Sequence, residues 1–169
     1  LSTYNTTLEE YVLEDGDITA NLGSPGQNST NMVLVKPGEA IGQIWTPRFD
    51  GVNADGSPNF GDVNGDGVVT ASQDKWNDPD ADFISAGNGI PTLELGWSNN
   101  LNFGNWSVNA FFRGAFGHSL VNTFRAFYEP RLASQSSYNF VNTSLALPDL
   151  TVAQFSSLYV EKADFLKLD

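Results

Sequence analysis

The chain has 169 residues, 40% of them hydrophobic and only 17% charged, with a formal net charge of −12 and no cysteine. One domain with its own core is the expectation at this length. The acidic balance excludes nucleic acid as a natural partner and disfavours anionic membrane surfaces, while the lack of cysteine removes disulfides, zinc thiolate sites and thiol nucleophiles.

In chain order, residues 1–13 mix Thr, Tyr and Val with polar residues and read as a strand running into the acidic turn "EDGD". Gly, Pro, Asn and Ser then punctuate 18–31 as loop. The segment "MVLVKPGEAIGQIW" offers two short β-rich runs broken by Lys36-Pro37-Gly38. Residues 46–89 are dominated by Asp, Asn, Gly and Pro and read as one long loop. A connection of that length is uncommon unless it is functional or held by a ligand.

The clearest periodicity lies in 92–116. Leu93, Leu95, Trp97, Asn99, Leu101 and Phe103 alternate with Glu94, Gly96, Ser98, Asn100 and Asn102; beyond Gly104-Asn105, Trp106, Val108, Ala110, Phe112 and Phe116 share a face opposite Ser107, Asn109, Phe111 and Arg113. Period-2 alternation on both sides of a short turn predicts a hairpin of two strands of about ten residues, the length of a membrane-spanning strand. Periodicity alone leaves two settings open: a barrel wall facing lipid, or a soluble β-sandwich whose second sheet covers the apolar row. Residues 117–157 revert to Asn, Ser, Pro and scattered aromatics and read as a second long loop, before "SLYVEKADFLKLD" resumes β character. No stretch has the roughly 18 consecutive apolar residues of a transmembrane helix. The chain opens at "LSTYNTT" without an initiator Met and stops at "FLKLD" in mid-pattern, which reads as an internal or processed piece.

One motif carries recognisable chemistry. In "DVNGDGVVTASQD", Asp62, Asn64 and Asp66 occupy the first, third and fifth positions of an EF-hand-type calcium loop, Gly67 its sharp turn, and Val68 the position that offers a backbone carbonyl. The closing position falls on Gln73, with Asp74 one residue later, so the shell is closed either by Asp74 or by a neutral amide. Asp50, Asp55, Asp78, Asp80 and Asp82 lie close enough in sequence to supplement it. The opposing reading is a loop whose Asp and Asn side chains merely cap their own turns. An enzyme is not expected: His118 is the single histidine, no "GxSxG" elbow occurs, and sequence places no two carboxylates in a shared cleft. Glu94 and Arg113 are expected to pair across the hairpin.

The order of these segments carries more than any one of them. "VKPGEAIGQIW", "DVNGDGVVTASQDK", "GNGIPTLELGWSNNLNFGNWSVNAFFRGAFG" and "YVEKADFLKLD" together resemble the C-terminal part of the barrel in SusC-like (RagA-like) TonB-dependent outer-membrane transporters. The resemblance covers Met32 to Gly117 and Tyr159 to Leu168. It implies an all-β fold, an antiparallel transmembrane β-barrel segment contributing several strands to a large plugged barrel, with 1–169 part of one barrel domain and 46–89 and 117–157 as long extracellular loops. It further implies a cell outer membrane location and import of glycans or peptides with a SusD-like surface lipoprotein and the TonB complex as partners. Outer-membrane lipid would face the apolar row, and structural Ca2+ would sit on Asp62, Asn64, Asp66, Val68 and Asp74. Tyr128, Arg131 and Tyr138 are then the expected contacts to substrate or partner. The competing expectation is a secreted, calcium-stabilised β-sandwich binding module with a dockerin-like loop.

Overall fold

A computed structural model describes residues 1–3, 6–9, 18–21, 30–72, 78–131 and 140–169. Twelve strands, one short helix and one 3₁₀ turn make up the described residues: β1 (Ser2–Thr3), β2 (Ile18–Asn21), β3 (Asn31–Val35), β4 (Gln43–Pro47), β5 (Phe49–Val52), β6 (Pro58–Phe60), β7 (Phe83–Asn88), β8 (Leu93–Phe103), β9 (Trp106–Phe116), β10 (Ser119–Val121), α1 (Thr123–Tyr128), a 3₁₀ turn at Ser157–Tyr159, β11 (Val160–Lys162) and β12 (Phe165–Leu168). All strand pairings are antiparallel, as an all-β reading requires.

The chain divides its work between two regions. The first is a sheet in the order β1-β8-β9-β12, built on the 92–116 hairpin. β8 and β9 have eleven residues each and pair without a break from Leu93↔Phe116 to Phe103↔Trp106. The two-residue turn needs a left-handed backbone, which Gly104 supplies at φ 57°. At the opposite end the hairpin is closed by Thr92, whose N–H donates to the Phe116 carbonyl at 3.0 Å.

The second region, the head, holds the core. Its sheet runs β2-β3-β4-β7, and β10-β11 and β5-β6 form two small ribbons. Met32 and Ile44 from this sheet pack with Ala126 of α1, Leu150, Phe155 and Tyr159; Leu34 and Phe83 form a smaller cluster with Trp45 and Ala81. The turn expected at Lys36-Pro37-Gly38 does separate β3 from β4, with Gly38 at φ 84°.

Three stretches read as loop carry regular structure, the first being 18–31, where β2 pairs with β3. Within 46–89, β5 and β6 form a hairpin whose turn is closed by Asn53 N–H to the Ser57 carbonyl at 2.9 Å, and β7 follows. Within 117–157 lies the six-residue α1, whose N-terminus is capped by the Asn122 side chain accepting from the Arg125 N–H at 3.1 Å. Six residues give less than two turns, too few for a 3.6-residue period to show in the sequence. Of the strand expected in 1–13, Ser2–Thr3 pairs with β8 and Thr7 bridges to Ala40; 10–17 lie outside the described residues.

Candidate functional site

The acidic loop hangs between β6 and β7 and is tied by a residue that sequence reading treated only as a spare ligand. Asp82, fully buried, accepts from the Val63 N–H at 2.6 Å and from the Thr70 N–H at 2.6 Å, with the Asn64 N–H at 3.4 Å. The Asp82 N–H in turn donates to the Thr70 carbonyl at 2.8 Å. One carboxylate therefore pins both the entry and the exit of the loop. Burial pushes the Asp82 carboxyl up, but the donated N–H bonds from Thr70, Val63 and Asn64 and the charge of Arg48 outweigh it and hold the group below the usual carboxylate range. Arg48 makes a forked ion pair with Asp50 at 3.0 and 2.9 Å and reaches the Asp62 carbonyl at 3.3 Å. Gly61 leaves room there for the Arg48 guanidinium, which would lie 2.2 Å from a Cβ and would have to shift to admit one.

Inside the loop the backbone wraps around Asp62. Its Oδ1 accepts from the Gly65 N–H at 2.6 Å and its Oδ2 from the Gly67 N–H at 2.9 Å, a wrap that Gly65 and Gly67 permit at φ 79° and 84°. The Asn64 Oδ1 accepts from the Asp66 N–H at 2.9 Å, and Asp66 Oδ1 from the Val68 N–H at 2.7 Å. The donor set is all oxygen: two carboxylates, an amide and the Val68 carbonyl, the chemistry a hard cation takes. Among the described residues no three His, Cys, Asp or Glu side chains converge on one point. Gln73 and Asp74, the expected closing residues, lie outside the described residues. The supplementary acids have other employment: Asp50 pairs with Arg48, Asp55 accepts from the Ser57 N–H and hydroxyl, and Asp78 accepts from the Asp80 N–H.

The second feature is the hairpin sheet. Its register stacks Leu93, Leu95, Trp97, Leu101 and Phe103 beside Phe116, Gly114, Phe112, Val108 and Trp106, and adds Leu166 and Leu168 of β12 opposite Gly114 and Phe112. This mainly apolar face, interrupted by Asn99 opposite Ala110, is bare over much of its area. Trp97 is 56% exposed, Phe103 61%, Trp106 76% and Leu166 62%. At ordinary side-chain areas the exposed apolar surface is roughly 800 Å², above the ~300–600 Å² of the largest patch on a typical soluble monomer. Among the described residues no second sheet covers it, as a soluble sandwich would require. The opposite face carries Glu94, Ser98, Asn100, Asn109 and Arg113. Arg113 closes an ion pair with Asp169 at 2.7 Å; Glu94 stands opposite Ala115 and only diagonal to Arg113. Strand length matches the setting too. Eleven residues at about 3.4 Å span about 37 Å, which a tilt near 45° reduces to about 26 Å, the height of a barrel's apolar band.

No family model matches the chain. TonB-dependent receptor P3 of Formosa agariphila is 25% identical to it over 184 aligned positions, covering 92% of this chain and 17% of that protein. The chain is similar to part of a TonB-dependent receptor. It spans about a sixth of that relative's length. No helix of the described residues is long and apolar enough to cross a membrane, which says nothing of strands.

The head presents an aromatic ridge where sequence placed substrate or partner contacts. Tyr128 is half-buried, its ring 4.8 Å from both Phe124 and Phe127. Arg131 is exposed with its guanidinium 5.3 Å from the Phe140 ring. Tyr138 lies outside the described residues. Beneath the ridge is a buried clasp that sequence did not reveal. The guanidinium of Arg125 bonds Glu129 at 2.8 Å, Glu161 at 2.5 Å and the Leu145 carbonyl at 3.3 Å, while Thr143 donates to Glu129. Burial, then the Glu129 charge, push the neighbouring Tyr159 hydroxyl up to about 12, against the lowering effect of Arg125.

Proposed function

We propose that the chain forms part of the barrel of a SusC-like TonB-dependent outer-membrane transporter that imports glycans or peptides with a SusD-like surface lipoprotein. The observation that supports it best is the exposed, mainly apolar face of β8, β9 and β12, in which the two eleven-residue strands β8 and β9 are long enough to cross a bilayer. In this reading the apolar face meets lipid, and the face of Glu94, Ser98 and Arg113 lines the lumen. The Gly104-Asn105 turn lies at the periplasmic rim and the head outside the cell. Energy reaches the transporter through the TonB complex, by parts of the receptor beyond this chain.

The acidic loop then holds Ca2+ through Asp62, Asn64, Asp66 and the Val68 carbonyl, with Asp74 closing the shell. The cation would supply rigidity in place of an apolar core. The aromatic ridge at Tyr128 and Arg131 is the contact surface for substrate or lid. Assembly in the outer membrane tests the topology. Leu95→Arg puts a charge on the lipid face between the midplane and the strand end, at a cost below the about 2–4 kcal/mol of the midplane, and should lower the yield of the folded, heat-modifiable species, whereas Glu94→Arg on the lumen side should assemble normally. Equal assembly of both variants refutes the topology.

A further inference from the structure

The acidic loop contains an Asn-Gly pair, Asn64-Gly65, whose hydrogen bonds match the needs of a covalent reaction. For the Gly65 backbone nitrogen to attack the Asn64 carboxamide, the nitrogen must lose its proton, the carboxamide oxygen must take up negative charge, and the nucleophile must be unhindered. Each requirement has a partner here. The Gly65 N–H points at the Asp62 Oδ1 at 2.6 Å, a carboxylate able to receive the proton. The Asn64 Oδ1 accepts from the Asp66 N–H at 2.9 Å, a donor that stabilises developing charge and folds the carboxamide back over the following peptide. Gly65 offers no Cβ, and the space a Cβ would take is empty within 4 Å. Asn64 is exposed, open to the water the second step needs.

We propose that Asn64 is a self-modifying residue, deamidating through a cyclic imide with Gly65 when the loop holds no cation. The Gly65 nitrogen bonds to Asn64 Cγ, its proton passes by way of Asp62 to the departing nitrogen, and the Cγ–Nδ2 bond breaks to release ammonia. Water then opens the imide on either side, giving Asp or isoaspartate at 64. No oxidant and no further reactant is needed. The Asp product adds one more carboxylate to the loop and so strengthens its hold on a cation, because loops of this kind tune affinity by ligand charge. The isoaspartate product adds a backbone carbon and breaks the wrap around Asp62. A cation drawing on the Asp62 and Asn64 oxygens would withdraw both from the reaction.

The chain carries its own control. Asn88-Gly89 is the same dipeptide, and the Asn88 Oδ1 likewise accepts from the N–H two residues on, that of Ile90, at 2.8 Å. The two carboxamides are held alike, the Asn64 amide donating to the Asp80 carbonyl and the Asn88 amide to the Ile41 carbonyl, each at 3.0 Å; the Gly89 N–H, however, donates to a peptide carbonyl, that of Gly42, at 3.0 Å. A neutral carbonyl does not take the proton.

The test is peptide mapping by mass spectrometry, with enzymatic detection of isoaspartate, on the intact protein incubated with a chelator in mildly alkaline buffer. Rates at both sites are normalised to those in the urea-unfolded protein, where the two dipeptides are equivalent. Asn64 should convert on the order of tenfold or more faster than Asn88 in the folded protein, a modest share of what a positioned proton acceptor contributes. In Asp62→Asn the Asn64 rate should fall to that of Asn88. Equal normalised rates in the folded wild type overturn the proposal without recourse to a variant. An unchanged or increased Asn64 rate in Asp62→Asn also overturns it, since exposure alone would then account for the reaction.

Discussion

Removing the Asp82 carboxylate should release the acidic loop at both ends. Asp82→Ala leaves the Val63 and Thr70 N–H groups, each now donating at 2.6 Å, without an acceptor in a site closed to solvent. Hydrogen bonds to charged groups contribute about 1.5–3 kcal/mol each, so two such losses amount to about 3–5 kcal/mol. Asp82→Asn keeps one oxygen but turns an NH2 toward the other amide, costing about half as much. The natural readout is hydrogen exchange at the Val63 and Thr70 amides. A local stability loss of about 3 kcal/mol corresponds to roughly a hundredfold faster exchange. The same carboxylate sets a pH dependence. Its folded-state pKa is depressed, so its contribution is fully present above the unfolded value near 3.9 and is lost as pH falls through the lower, folded value. Loop protection should therefore be flat across neutral pH and fail only in acid. Unchanged exchange at both amides in Asp82→Ala, or a loss of protection centred near neutrality, would refute this account of the loop.

Other expectations are equally direct. Arg125→Met leaves Glu129 buried without its cation and should destabilise the head by about 3–5 kcal/mol, seen as early loss of the near-ultraviolet aromatic signal in urea. Adding Ca2+ at about a hundred times its dissociation constant should stabilise the loop by about 2.7 kcal/mol, measured by exchange with and without chelator; no effect of Ca2+ would remove the metal from the proposal. Tyr128→Ala with Arg131→Ala should lower uptake or lid binding while leaving the amount of folded protein in the membrane unchanged, and normal uptake by the double variant would show that the ridge serves only packing.

The hairpin was legible because every cue for it is local: strict alternation on both arms and a Gly-Asn turn. Its third strand was legible from Leu166 and Leu168 for the same reason. The head was not, because its core is assembled from Met32, Ile44, Phe155 and Tyr159, which share no periodicity and meet only through tertiary contact. Asp62, Asn64 and Asp66 stood out through their spacing. Asp82 did not announce its role, since its partners are backbone amides 12 to 19 residues away, and backbone amides leave no mark in a sequence. The ion pair of Arg113 with Asp169 was not foreseen, because sequence spacing gives the face of a residue but not its neighbours on a distant strand.

The incomplete edges of the hairpin sheet bear on how such a structure is built. β1 pairs only with Leu93 and Glu94, and β12 reaches along β9 no further than Phe112, with Asp169 adding Phe111. Among the described residues, the turn-proximal edges of both long strands have no partner. Alternate residues along those edges direct an N–H and a C=O outward, on the order of ten groups in all. In hydrocarbon each unsatisfied group costs several kcal/mol, so a solitary hairpin entering the bilayer would face tens of kcal/mol of opposition. If the sheet belongs to a barrel, as proposed, such a hairpin enters the bilayer only with neighbouring strands already beside it, which makes the order of assembly matter as much as the final contacts.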